Sequence, residues 1–188
     1  MTSLSRKIDL HHSVLQSFHW AGSASLWSYV TVLLLNLGFN NTRIGTLTGL
    51  ALLGSILVQP ALSSLVDRRA DLTSRGMAMV LTVISMGAAA ALWLFLKIPA
   101  AVTLCILLLG ITLHIIPPFI NAMVMEYSRR NIPVNFGLGP ALIAYVCGRL
   151  VDALGVGSTL TFLCITAFLG CVIVWLATGR SLNKEAKN

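Results

Sequence analysis

Gln59–Arg75, QPALSSLVDRRADLTSR, leaves an apolar stretch, passes through Asp67, Arg68, Arg69, Asp71 and Arg75, and gives way to apolar sequence again at Gly76. It reads as a short charged loop between two membrane-length segments, and the same alternation continues outward to both ends. The apolar spans are 14–37, 44–66, 76–96, 99–125, 134–154 and 158–178. Each holds at least about 20 residues, which at roughly 1.5 Å per residue covers the ~30 Å hydrocarbon core. An isolated apolar strand would leave its backbone N–H and C=O groups unpaired in lipid, so the spans are expected to be helices. Barrel strands would alternate, and runs such as LLLGITLHII (107–116) do not. The expected fold is an all-α integral membrane protein of six transmembrane helices in a three-plus-three bundle.

Composition points the same way. With 56% hydrophobic residues, 10% charged residues and a mean hydropathy of +0.86 over 188 residues, the chain has too little polar surface to clothe a soluble globule. The net charge of +7 is explained by topology rather than by nucleic acid. With a cytoplasmic N-terminus (1–13), Arg6, Lys7, Arg68, Arg69, Arg75, Arg129, Arg130, Arg180, Lys184 and Lys187 lie inside, against Arg43 and Lys97 outside. That bias places both termini, including a basic tail at 179–188, in the cytoplasm of a multi-pass protein of the cell membrane. The first span is too long for a signal-peptide core and reads as a retained helix.

The loops on the outer side are short, Gly38–Arg43, Lys97–Ile98 and Gly155–Gly157, which makes sequential helices antiparallel neighbours. Gly22–Ser25, the G-x-x-x-G of Gly45 and Gly49, and Gly87–Ala91 mark expected contact faces. Pro60 and the Pro117-Pro118 pair should bend their helices. Cys105, Cys147, Cys164 and Cys171 lie within spans without metal-type spacing and read as small packing residues. No metal or cofactor is expected. No catalytic motif is present either, so the chain is not expected to be an enzyme. Asn40-Asn41-Thr42 matches a glycosylation sequon, but its acceptor would lie close to the bilayer.

Polar residues inside the spans carry the functional question. His12, Gln16, His19, Ser23 and Trp27 fall on one face of the first helix. Such a face cannot favour lipid. Two readings stay open: a cavity wall on which Gln16 and His19 hydrogen-bond a polar solute and Trp27 or Trp20 stacks on it, or helix contacts satisfied by neighbouring polar groups. Ser55, Gln59 and Ser63 form a similar row on the second helix, which either packs against the first row, the favoured reading, or lines the same cavity. His114 and Asn121 share a side of the fourth. His114 either changes protonation state, its reference pKa being about 6.5, or stays neutral on a carbonyl. Arg149 and Asp152, at i, i+3 in the fifth helix, read as a structural ion pair or a proton relay. Glu126 with Arg129 and Arg130 reads as an interfacial ion pair.

Three segments together resemble the N-terminal half of major facilitator superfamily transporters. NLGFNNTRIGTLTGL (36–50) is similar to the short loop and helix start of the branch containing lactose permease and related oligosaccharide or nucleoside proton symporters. QPALSSLVDRR resembles the family's loop motif, Gly-x-Leu-Ala-Asp-Arg with further basic residues, although Ser63 replaces its glycine. EYSRRNIPVNFG (126–137) resembles the join between the fourth and fifth helices. The resemblance covers the six-helix half. It implies that Asp67, Arg68, Arg69 and Arg75 form a cytoplasmic latch whose acid faces a helix N-terminus in one state of the transport cycle. Two departures bear on the site. Phe136-Gly137 is followed by Leu138-Gly139-Pro140 where the family usually has an arginine nearby, and Ala122 stands where the lactose permease branch has its sugar-binding acid.

The resemblance implies symport of a small polar solute with protons, by alternating access, in the lipid bilayer. Its site would lie between this half and a second six-helix half, whether a separate chain or a second copy, the present one being truncated, split or homodimeric. Within the chain the cavity candidates are Gln16, His19, Trp27, His114 and Asn121. The competing reading is a six-helix membrane interaction protein, or an inactive remnant, that transports nothing.

Overall fold

A computed structural model describes residues 3–129, together with 145, 149, 152–155, 161, 165 and 169. Four long helices occupy the first block: α1 (Ser3–Asn36), α2 (Asn41–Arg68), α3 (Ser74–Leu94) and α4 (Pro99–Arg129). No strand occurs among the described residues. The helices overlie the first four expected apolar stretches, but α1 begins at Ser3 rather than Val14, taking in most of the expected N-terminal segment 1–13, and α4 runs on to Arg129. The expected spans at 134–154 and 158–178 and the tail at 179–188 lie outside the described residues, apart from isolated helical positions such as Tyr145, Thr161, Ile165 and Leu169.

Three of the four helices, α2, α3 and α4, are long and apolar enough to cross a membrane. The length of α1 is ample, but its row of polar residues lowers its hydropathy. The described part of the chain is therefore all-α, and its helices are compatible with a bilayer. The exposed outer row of α2, with Leu53, Ile56 and Leu57, would be an aggregation surface in water and is ordinary against lipid.

Helix ends are set by local chemistry. The first helix stops at Gly38, whose φ of +85° reverses the chain. There the Gly38 N–H donates to the Leu35 carbonyl at 3.0 Å, and the Phe39 N–H reaches back to Leu34 at 2.9 Å. This is a Schellman closure with Phe39 packed on the core. Gly38→Ala should cost about 1 kcal/mol, because an L side chain is disfavoured at that backbone angle; reversible unfolding in mixed detergent micelles would measure it. Asn40 caps α2 by accepting the Arg43 N–H at 2.8 Å, and Thr73 caps α3 by accepting the Gly76 N–H at 3.0 Å. The sequon asparagine thus uses its side-chain oxygen to start a helix.

The core sits on α4, which packs along α3, along α2 and, over a shorter stretch, against α1. Half of the apolar window of α4 is buried, against 33% for α3 and 11% for α2. Leu34, Leu92, Ile106, Leu109, Ile115 and Ile120 are fully enclosed. Between α3 and α4 the Ser85 hydroxyl donates to Thr112 Oγ1 at 2.7 Å, and Thr112 donates onward to the Leu108 carbonyl at 2.8 Å. Thr112→Val should cost about 0.6 kcal/mol, the typical worth of an interhelical hydrogen bond in a membrane bundle, since Ser85 can turn back to the Leu81 carbonyl. The same unfolding measurement would read that loss.

The small-residue contacts differ from expectation. A side chain added at Gly45, Gly49 or Gly87 would meet nothing within 4 Å, so these glycines make no helix contact among the described residues. The close approach lies one to two turns further along. A Cβ on Gly110 would stand 2.5 Å from Ala51 Cβ, and one on Gly54 would stand 2.7 Å from Ile111 Cδ1. From the Gly87–Ala91 run it is Ala88 and Ala89 that are buried. Both α2 and α4 remain helical through Pro60 and through Pro117-Pro118.

Candidate functional site

The polar row of α1 faces inward. His12 and Gln16 are buried, and His19, Ser23 and Trp27 are half-buried further along the same face. Gln16 Oε1, His19 Nε2 and Trp27 Nε1 are each shielded from solvent and have no hydrogen-bond partner among the described residues. Unmade hydrogen bonds to buried groups cost about 1–3 kcal/mol apiece. Three of them along one helix face, spaced by helical periodicity, form a line of unused binding capacity.

Opposite them on α4 stands His114. Its Nδ1 lies 2.7 Å from the Gly110 carbonyl oxygen one turn back. A carbonyl can only accept, so this contact assigns the proton of the neutral ring to Nδ1 and leaves Nε2 as an acceptor. The Trp27 ring meets His114 edge to face, with centroids 5.0 Å apart and planes at 69°. His19 lies close enough to His114 for the two imidazoles to interact electrostatically.

Gly110 makes this meeting possible. An added Cβ would lie 3.4 Å from Trp27 Cη2 as well as against Ala51. The absent side chain therefore lets α2 close on α4 and lets the indole lie over the crossing. Gly110 and Ala51 were not among the candidates read from the sequence; the available signal was a glycine one helical turn before an intramembrane histidine, in LLLGITLH.

The remaining candidates fall elsewhere. Trp20 is 44% exposed and touches only the edge of the His19 ring among the ring contacts, at 5.7 Å between centroids, so Trp27 is the indole of the cluster. Asn121 is exposed, seven positions along α4 from His114. In the second row Ser55 is buried, and its hydroxyl donates to the Leu52 carbonyl at 2.7 Å, which suits the packing role expected of it. Arg149 and Asp152 are helical and exposed. Cys105 is a buried free thiol; the other cysteines lie outside the described residues.

Asp67 and Arg68 end α2, Arg69 caps it by donating its N–H to the Leu65 carbonyl at 3.2 Å, and Arg75 lies in the first turn of α3. Arg68 complements the negative end of its own helix dipole, whereas Asp67 opposes it, so α2 alone gives no reason for an acid there. Glu126 and Arg129 lie in the last turn of α4. No group of three or more metal-type side chains gathers among the described residues. The chain matches no protein-family model, no curated protein and no solved structure.

Proposed function

We propose that this chain is a membrane transport half-unit. Its α1–α4 cluster binds a small polar solute, and solute movement is coupled to protons by alternating access against a second six-helix half. One observation carries the reading: Gln16 Oε1, His19 Nε2 and Trp27 Nε1 lie shielded on one face beside His114, without a hydrogen-bond partner among the described residues. In an apolar bundle such groups are costly to hold and are retained where a ligand or a water-filled path uses them. The resemblance to major facilitator transporters supports the same reading and supplies the rest of it. The chain would lie in the cell membrane with both termini cytoplasmic, and Asp67, Arg68, Arg69 and Arg75 would act as a latch at the inner face. Asn121, and Arg149 with Asp152, would lie towards the second half. The role is binding and translocation, without cofactor or catalysis.

The test is uptake by proteoliposomes containing the chain, alone and with candidate six-helix partners, across a panel of radiolabelled polar solutes with and without a pH gradient. Saturable uptake that responds to the gradient is the expected result. Cysteine pairs placed on α1 and α2 would report whether a second copy supplies the other half.

The open face of α2, where a side chain added at Gly45 or Gly49 would meet nothing among the described residues, favours a second reading: a membrane interaction protein that docks a partner helix there. Absence of uptake, together with a stable cross-link from that face to another membrane protein, would select it.

A further inference from the structure

Resting on the solute-site reading, we infer that a proton and the solute are alternatives at His114 Nε2, so that solute binding expels a proton rather than recruiting one. The argument begins with the tautomer. Because Nδ1–H is committed to the Gly110 carbonyl at 2.7 Å, the only lone pair His114 can offer is on Nε2. A proton on that nitrogen removes an acceptor, adds a charge and leaves an N–H in its place. A solute O–H or N–H bonded there would then face a donor.

The surroundings give this exchange its sign. From α1, the titratable group near His114 is His19, with His12 two turns earlier on the same row. From α2 and α3, no titratable or charged side chain lies at this level among the described residues. Arg43, Asp67, Arg68 and Arg75 all stand in terminal turns, as do Glu126 and Arg129 on α4 itself, and Arg69, Asp71 and Lys97 lie in connections. Among the described residues a charge at this level has no counter-ion, so two charges on the neighbouring His19 and His114 rings would repel uncompensated and the pair holds at most one proton. The same lack of a counter-ion selects an uncharged solute. Such a solute would donate to Gln16 Oε1 and His114 Nε2 and accept from the Trp27 indole N–H. Because the solute binds the unprotonated pair, affinity is full above the midpoint of the pair and falls about tenfold per pH unit below it.

The first test needs no solute and uses the proton itself as the probe. ¹⁵N NMR of histidine-labelled full-length chain in lipid nanodiscs, assigned with single His→Asn variants, should show neutral His114 as the Nδ1–H tautomer. Acidification should add one proton to the His19–His114 pair. An Nε2–H tautomer, or two independent protonations, overturns the inference whatever the uptake assays show. The second test is the pH profile of uptake in proteoliposomes. His114→Gln keeps an acceptor oxygen but cannot titrate, so uptake should be weakened while what remains of it loses the tenfold-per-unit fall in acid. Uptake that rises as the pH on the loading side falls would overturn the exchange sense. A chain that transports nothing sinks the transport reading, and the NMR result still decides the proton site.

Discussion

Gly110→Ala should destabilise the bundle by about 1–3 kcal/mol, the usual cost of forcing atoms into a packed core, although alanine is the better helix former. At an open helical site the same change is favourable by about 0.8–1.0 kcal/mol. Gly87, exposed and with nothing within 4 Å, should show that opposite sign. At Gly110 the new methyl would stand 2.5 Å from Ala51 Cβ, and neither atom has a rotamer through which to retreat. The α2 helix must move off α4. Gly54→Ala should cost less, because the atoms it meets belong to the Ile111 side chain, which can swing aside. Pairing Gly110→Ala with Ala51→Gly restores the space and should recover most of the loss, an interaction energy that a double-mutant cycle reads directly. Reversible unfolding in mixed micelles, run on the four proteins of that cycle, is the measurement. A Gly110→Ala protein as stable as its parent would mean that α2 and α4 do not cross there.

How far the sequence discloses this site can be followed residue by residue. Hydropathy and length located α2, α3 and α4, because in a bilayer-sized apolar run the backbone has one way to satisfy itself. Periodicity placed Gln16, His19 and Trp27 on one face, since 3.6 residues per turn is a local property. What that face meets depends on how helices far apart in sequence cross. Thus Gly45 and Gly49 formed a recognisable motif yet make no helix contact among the described residues, while Gly110 and Ala51, in no motif, form the contact. The pairing of Trp27 with His114 and the bond between Ser85 and Thr112 were hidden for the same reason. The tautomer of His114 depends on a carbonyl four residues back, and only coordinates show that the ring turns towards it rather than towards a neighbouring helix.

Gln16→Leu and His19→Leu should each make the bundle more stable while impairing uptake, and this pair of opposite signs separates a binding site from packing. A shielded polar atom without a partner costs about 1–3 kcal/mol, which an apolar side chain of similar volume would not incur. A gain of about 1 kcal/mol per substitution is therefore expected in unfolding experiments. Each substitution also removes a hydrogen bond to the solute, and at 1.4 kcal/mol per decade a loss of that size weakens solute binding roughly tenfold to a hundredfold. Trp27→Phe makes a finer cut. It deletes the indole N–H but keeps an aromatic ring against His114; the gain from removing an unpartnered N–H is offset by the packing lost with the smaller ring, so stability should change little while uptake falls about tenfold, as expected for one lost bond of about 1–1.5 kcal/mol. If the leucine variants instead unfold more easily, the row is a set of satisfied structural contacts and the site lies elsewhere. Stability gained with uptake unchanged would mean that these polar groups serve neither packing nor solute. Only the combination of greater stability with weaker uptake fits a protein that gives up part of its folding free energy to hold polar groups ready inside an apolar bundle.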